Sequence, residues 1–216
     1  MTRRLSLTID GRNIAVHLHK GDLPEGVTFS GPIALDTEAM GLLPDRDRLC
    51  LVQMTDGGPD IHLVQIRPDV RPARLIGLLE DPARLKILHF ARFDVAMIAR
   101  RLGVLMRPVY CSKIASKLAR TYTDKHGLKD LVKELLGKEV SKEQQSSDWG
   151  AEELSDAQLA YAASDVVHLH AVKTRLDEML AREGRTALAQ ACFDFLPARA
   201  ELDLAGWPET DIFAHS

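Results

Sequence analysis

The stretch Ile33-Ala34-Leu35-Asp36-Thr37-Glu38 decides how this chain is read. Three apolar residues follow the turn-forming run Ser30-Gly31-Pro32, and they predict a short buried strand. Residues two apart on a strand point to the same face, so Asp36 and Glu38 project together from its end. Two carboxylates held this close repel one another unless a cation lies between them. Hard divalent cations take carboxylate oxygens and keep water or substrate phosphate as their remaining ligands. Taken alone, Asp-x-Glu at a strand end is equally an ordinary surface turn, so the reading depends on what the rest of the chain supplies.

Working outward, Leu49-Cys50-Leu51-Val52-Gln53-Met54 predicts a second strand. The turn signal Asp56-Gly57-Gly58-Pro59-Asp60 then leads to a hairpin partner at Ile61-His62-Leu63-Val64. Residues 71–80 carry Leu75, Leu78 and Leu79 at helical spacing. Ile87-Leu88 is a short strand, and a helix from Asp94 to Leu102 closes at Gly103. Beyond it the pattern is helical: 112–120, then 127–136 stopped by Gly137. Ser155 caps a long helix to about Glu183, with Gln158 completing a capping box. A last helix over 185–196 ends at Pro197. Strands first, including a hairpin, and helices afterwards predict an α/β sandwich with a mixed central sheet flanked by helices.

At 216 residues the chain suits one domain, 1–216, with a C-terminal helix and tail from about 185. Its composition, 45% hydrophobic and 27% charged, is that of a protein with a real core. No apolar stretch reaches the length of a membrane span. The N-terminus has basic residues but no apolar segment after them, so no secretory signal is read. Cys50, Cys111 and Cys192 are too far apart for a metal site and are expected to be reduced, which fits the cytoplasm. A net charge of −3 does not advertise a surface for gripping long nucleic acid. Basic residues nonetheless crowd the middle, from Arg92 through Arg100, Arg101, Arg107, Lys113, Lys117, Arg120 and Lys125 to Lys129. Most are expected on solvated helix faces, with one or two left for a phosphate.

Two more acidic positions give the first pair its meaning. Asp94 opens a helix after His89-Phe90-Ala91-Arg92-Phe93; alone it would be a residue that stabilises the helix dipole. Tyr161 and Asp165 stand four apart in Leu159-Ala160-Tyr161-Ala162-Ala163-Ser164-Asp165-Val166 and so share a helix face. Four carboxylates and a phenol on three segments are the parts of a two-metal phosphodiesterase.

In these motifs the chain resembles the DEDD superfamily of 3′-5′ exonucleases, in its tyrosine-containing branch. Gln144-Gln145-Ser146-Ser147-Asp148-Trp149 with Tyr161-Ala162-Ala163-Ser164-Asp165 is similar to ribonuclease D. Arg46-Asp47-Arg48-Leu49-Cys50, Lys113-Ile114-Ala115-Ser116-Lys117-Leu118, Arg120-Thr121-Tyr122-Thr123-Asp124 and the tail 211–216 resemble the nano-RNase C group, compact bacterial diribonucleases. The resemblance implies an RNase H-like (DnaQ-like) fold and two ions, Mg²⁺ or Mn²⁺, on Asp36, Glu38, Asp94 and Asp165. Tyr161 would orient the attacking water, and the product would be a nucleoside 5′-monophosphate. It implies short RNA, chiefly dinucleotides, as substrate, and a ring-like homo-oligomer, an octamer in that group.

The resemblance places Met40, Gly41 and Leu42 at the substrate, with Leu42 as a wedge between bases or, alternatively, a core leucine. Arg92 and His89 are candidates for a phosphate or ribose contact. Gln145, Ser146 and Trp149 are expected to shape a loop over the cleft. Only 5% of residues are aromatic, few for stacking a long single strand. Exposed aromatics in the tail, Trp207 and Phe213 with Ile212, suggest docking on a neighbouring subunit. Two other readings stand beside this one: a broader ribonuclease D-like enzyme acting on longer RNA or DNA ends, and a nucleic-acid-binding module without catalysis.

Overall fold

The computed structural model describes residues 2–140, 144 and 146–215. A seven-stranded mixed sheet forms its centre, in the order β1-β2-β5-β4-β3-β6-β7. The strands are β1 (Thr2–Ile9), β2 (Arg12–Lys20), β3 (Ile33–Ala39), β4 (Leu49–Thr55), β5 (Asp60–Gln65), β6 (Lys86–Leu88) and β7 (Val109–Cys111). β2 runs parallel to β5, and β3, β6 and β7 are mutually parallel; the remaining neighbours are antiparallel. The helices are α1 (Ala73–Glu80), α2 (Ala91–Leu102), α3 (Ser112–Ala119), α4 (Leu128–Leu136), α5 (Asp156–Val167), α6 (Leu169–Arg182) and α7 (Thr186–Leu204). This is the α/β sandwich with a mixed sheet expected from the sequence. No helix among the described residues is long and apolar enough to cross a membrane.

Several boundaries differ from the sequence reading, each for a physical reason. The N-terminal hairpin β1–β2 was not anticipated. Its signals are present: Leu5, Leu7 and Ile9 alternate with polar residues, and Asp10-Gly11 makes the turn. Both turn residues have positive φ, 53° and 74°, as a two-residue hairpin turn of this hand requires. β7 is only three residues long, too short for periodicity to reveal.

The predicted helix over 155–183 is two helices broken at His168. Leu159, Ala162, Val166, Leu169, Val172, Leu176 and Leu180 are all buried, so the apolar stripe runs straight through the break and conceals it. The last helix passes through Pro197 and continues to Leu204. A proline inside a helix costs about 3 kcal/mol. Here Phe193, Leu196, Pro197 and Ala200 are buried, and α7 packs on α2, so tertiary contacts outweigh the local penalty.

Two differences bear on the site. β3 does not stop at Leu35 but carries Asp36 and Glu38 inside the sheet, paired with β4 up to a bulge at Glu38/Ala39. α2 starts at Ala91, so Asp94 lies within its first turn and not at its entry.

Candidate active site

β3 lies between β4 and β6, and Asp36 and Glu38 project from its α5-covered face. Gln53, directly opposite on β4 and fully buried, donates from Nε2 to Asp36 Oδ2 at 2.7 Å. α5 lies over the same strands. Its start is fixed by the predicted capping box: Ser155 Oγ accepts from the Gln158 amide while the Gln158 side chain accepts from the Ser155 amide. Ala162 and Ala163, both fully buried, let the helix come close to the sheet. One turn of helix separates Tyr161 from Asp165, and both line the cleft above β3. Carboxylate oxygens of Asp36, Glu38 and Asp165 lie within 4.8 Å of one another. Asp94 stands behind this trio, 2% exposed, and accepts from Thr37 Oγ1 at 2.7 Å.

Burial pushes all four carboxyls upward, because a charge loses its hydration there. Asp36 rises well above the usual range by burial first, then by repulsion from Asp94, Asp165 and Glu38. Burial raises Glu38 to about 9, and Asp165 and Asp94 add to it. Asp94 and Asp165 rise to about 7, again by burial, with hydrogen bonds from Thr37 and Tyr161 respectively opposing the shift. Burial and the nearby carboxylates push the Tyr161 phenol above its ordinary value, which keeps it neutral. No lysine or arginine is among the causes acting on the four acids. A set of oxygen donors, Asp94 buried and the other three half-buried, without a positive partner among the described residues fits hard divalent cations.

The opposite wall of the cleft, a space of about 310 Å³, is made by His89, Phe90, Lys113, Gly127, Leu128, Lys129 and Val140. Phe90 is 48% exposed and has φ 60°, a left-handed conformation that a bulky residue adopts only when its surroundings hold it. The Lys113 ammonium sits 4.2 Å from the centre of its ring. His89 is held neutral, its pKa lowered to about 3 by burial and by Lys113. Ser112 Oγ donates to Leu88 O at 3.1 Å, so it accepts from His89 Nδ1 at 2.9 Å. That leaves His89 Nε2 as a hydrogen-bond acceptor.

The structure places the other expected residues as follows. Met40, Gly41 and Leu42 form the loop after β3 and do not line the acidic cleft. Leu42 is 80% exposed, so the alternative of a core leucine is overturned. Gly41 is packed against Asp47: a Cβ there would lie 2.2 Å from Oδ2 of that carboxylate, which accepts from the Leu43 amide. Arg92 does not line the cleft. Its guanidinium makes a two-pronged pair with Asp203 of α7, at 2.6 and 2.7 Å, and also donates to Pro208 O. Of the basic residues in the middle of the chain, Lys113 and Lys129 reach the cleft instead. Trp149 is buried beside Tyr161, ring centres 6.0 Å apart, so it supports the phenol from behind and does not cover the cleft. Ser146 is exposed, and Gln145 lies outside the described residues. Phe90, Lys113 and Leu128 were not singled out as site residues, since only the folded chain brings β6, α3 and α4 to one wall.

Residues 21–181 match the family model described as 3′-5′ exonuclease. Ribonuclease D of Granulibacter bethesdensis is 36% identical over 157 residues, 72% of this chain but 39% of that protein. The chain thus spans about two-fifths of the length of such relatives. The structure of Brucella melitensis NrnC superposes with a TM-score of 0.90 at 53% identity, over 93% of this chain and 98% of that one. The same nuclease bound to pGG superposes at 0.89 and 52% identity, again over 93% and 98%. Escherichia coli RNase D superposes at 0.69 and 26% identity, over 79% and 45%. With its acidic residues gathered under α5 and this fold around them, the chain belongs to the 3′-5′ exonuclease family, in the ribonuclease D-like group that includes nano-RNase C.

Proposed function

We propose that this protein is a metal-dependent 3′-5′ exoribonuclease that hydrolyses very short RNA, chiefly diribonucleotides, to nucleoside 5′-monophosphates. The observation that carries the reading is the convergence of Asp36, Glu38 and Asp165 oxygens within 4.8 Å, with Asp94 buried behind them. Asp36, Glu38, Asp94 and Asp165 would hold two divalent ions, Mg²⁺ or Mn²⁺, which would supply positive charge at the scissile phosphate and favour ionisation of the attacking water. Tyr161 would orient the attacking water through its hydroxyl; as a neutral phenol it positions and does not take the proton. His89 Nε2 accepts from a ribose hydroxyl. Lys113 and Lys129 meet phosphate charge on the far wall, the role the sequence reading gave to Arg92. Leu42 and Met40, both exposed, offer apolar surface to a base.

Two observations support a short substrate. The relative captured with pGG is 52% identical to this chain. Phe90 is the only exposed aromatic among the described residues that line the cleft, which suits one stacked base and not a long strand. Hydrolysis of RNA from two to ten nucleotides, with and without chelator, tests the reading. Dinucleotides should be cleaved fastest and only with metal; equal rates at all lengths would favour the broader ribonuclease D-like activity that the 36% relative suggests. The binding-module alternative is disfavoured because it has no use for a full set of mutually repelling acids.

The assembly we propose is a homo-oligomer, an octamer on the pattern of the nano-RNase C group. Arg92 and Arg199 hold the tail by its backbone, at Pro208, Trp207 and Thr210, while Trp207, Ile212 and Phe213 keep their side chains exposed. Those side chains are free to meet a neighbour. Three free cysteines suit the reducing cytoplasm.

A further inference from the structure

Gln53 stands on β4 directly opposite Asp36, between Val52 and Met54. Residues paired across two strands share a face, so its amide lies under α5 with Asp36 and Glu38. It is 0% exposed, and its Oε1 accepts from nothing among the described residues. A buried acceptor without a partner destabilises the fold. For packing alone, an apolar side chain of similar volume such as methionine would serve β4 better.

What the amide supplies is its NH₂ group. Nε2 donates to Asp36 Oδ2 at 2.7 Å and acts on Glu38 as a donor as well. Turned over, the amide would set Oε1 against the Asp36 carboxylate, acceptor against acceptor. The acids therefore fix its orientation, and the unpaired Oε1 is the consequence. Thr37 donates to Asp94 and Tyr161 to Asp165. Each of these side-chain donors is uncharged. A lysine or arginine in their place would hold a carboxylate as firmly, but its charge would stand in for that of a cation.

We infer that Gln53 is a positioning residue for the metal centre. It holds Asp36, and with it Glu38, where their oxygens and one of Asp165 lie within 4.8 Å of one another, and it does so without adding charge. Deprived of the amide, the Asp36 carboxylate turns about its Cβ–Cγ bond, the repelling acids spread, and affinity for a divalent cation falls. Hydrogen-bond partners one layer out from a metal's ligands are worth about 10- to 100-fold in metal affinity. Gln53 takes no part in proton transfer and, being fully buried, touches no substrate. Its role rests on the reading of the four acids as metal ligands under the proposed function.

Mn²⁺ titrated into the protein, with the free ion followed by its EPR signal, measures binding apart from activity. Gln53→Met should weaken binding about 10- to 100-fold. Its dinucleotide hydrolysis should fall at limiting Mn²⁺ and recover much of the loss at saturating Mn²⁺. Gln53→Asn, which keeps the amide on a shorter stem, should fall between Gln53→Met and the parent. Met54→Ala is the packing control: Met54 is the next residue of β4, 0% exposed, and points to the opposite face. It should lower the melting temperature in chelator more than Gln53→Met does, yet bind Mn²⁺ like the parent. Parent-like binding by both Gln53 variants would overturn the role. So would binding that falls in step with melting temperature across Met54→Ala and the Gln53 variants, because a residue that only packs behaves that way. A parent that binds no Mn²⁺ would instead overturn the proposed function, and the role of Gln53 with it.

Discussion

The acidic cleft and the histidine cluster on β2 and β5 both crowd like groups together, and they resolve the crowding in opposite ways. His17, His19 and His62 stack with ring centres 5.0 to 6.3 Å apart. Thr2 Oγ1 pairs with His19 Nδ1 at 3.1 Å and His19 Nε2 with His62 Nδ1 at 3.0 Å, while His17 Nε2 meets Asp60 separately at 2.6 Å. A neutral imidazole both donates and accepts, so His19 and His62 satisfy each other by staying uncharged. Burial, then His62 and His17, lower His19 to about 4, and burial lowers His62 as well. An ionised carboxylate only accepts. Asp36, Glu38 and Asp165 cannot pair with one another at neutral pH without a shared proton or a cation. One crowd is therefore complete as it stands, and the other calls for a metal.

The largest effect that would break this contrast is loss of metal-dependent chemistry. Asp36→Ala should lower diribonucleotide hydrolysis about a thousandfold or more, the scale for removing charge aimed at a transition state. Single-turnover kinetics measure it, and activity within tenfold of the parent would mean that the acids are not the working group. Next, Tyr161→Phe should lower kcat about 10- to 100-fold, the scale for residues that orient a metal-bound species, with metal affinity unchanged.

The pH dependence of stability should have opposite signs at the two clusters. Asp94 and Asp165 titrate near 7 in the fold against about 4 unfolded, so the native state holds more protons between those values. Their contribution is full below pH 4 and is lost as pH rises through 7. The metal-free Tm should therefore drop between pH 5 and 8, and Mn²⁺ should restore it; calorimetry showing no such drop in chelator would contradict the buried-acid picture. His19 behaves the other way. Its folded value is depressed from 6.5 to about 4, so its contribution is present above 6.5 and lost as pH falls toward 4. His19→Gln should flatten the acid limb by a few degrees and leave the alkaline limb alone. The smallest change in stability belongs to Leu42→Ala: at 80% exposure its unfolding free energy should stay within about 0.5 kcal/mol of the parent, while KM for a dinucleotide rises several-fold.

Much of the site was legible before folding because its residues report local geometry. Asp36 with Glu38 reads as one strand face, Tyr161 with Asp165 as one helix face, and Ser155 with Gln158 as a cap; each depends on neighbours a few residues away. Arg92 shows where that stops. Its placement beside Asp94 suggested a phosphate contact, yet Asp203, 111 residues further on, takes both its prongs. The same distance effect hid the continuation of α7 past Pro197, since burial against α2 is invisible from the proline itself.

By itself, then, the order of residues determined the alternation of strand and helix, the faces on which acids gather, and the kind of chemistry that four carboxylates and a phenol permit. These follow from periodicity and side-chain type, which are properties of short segments. Only the tertiary structure decided that Asp94 lies behind the trio on Thr37, that Lys113 and Phe90 rather than Arg92 face the acids, and that Trp149 backs Tyr161. Those outcomes depend on which segments touch across the sheet, and contact between distant segments is settled by packing the whole core at once.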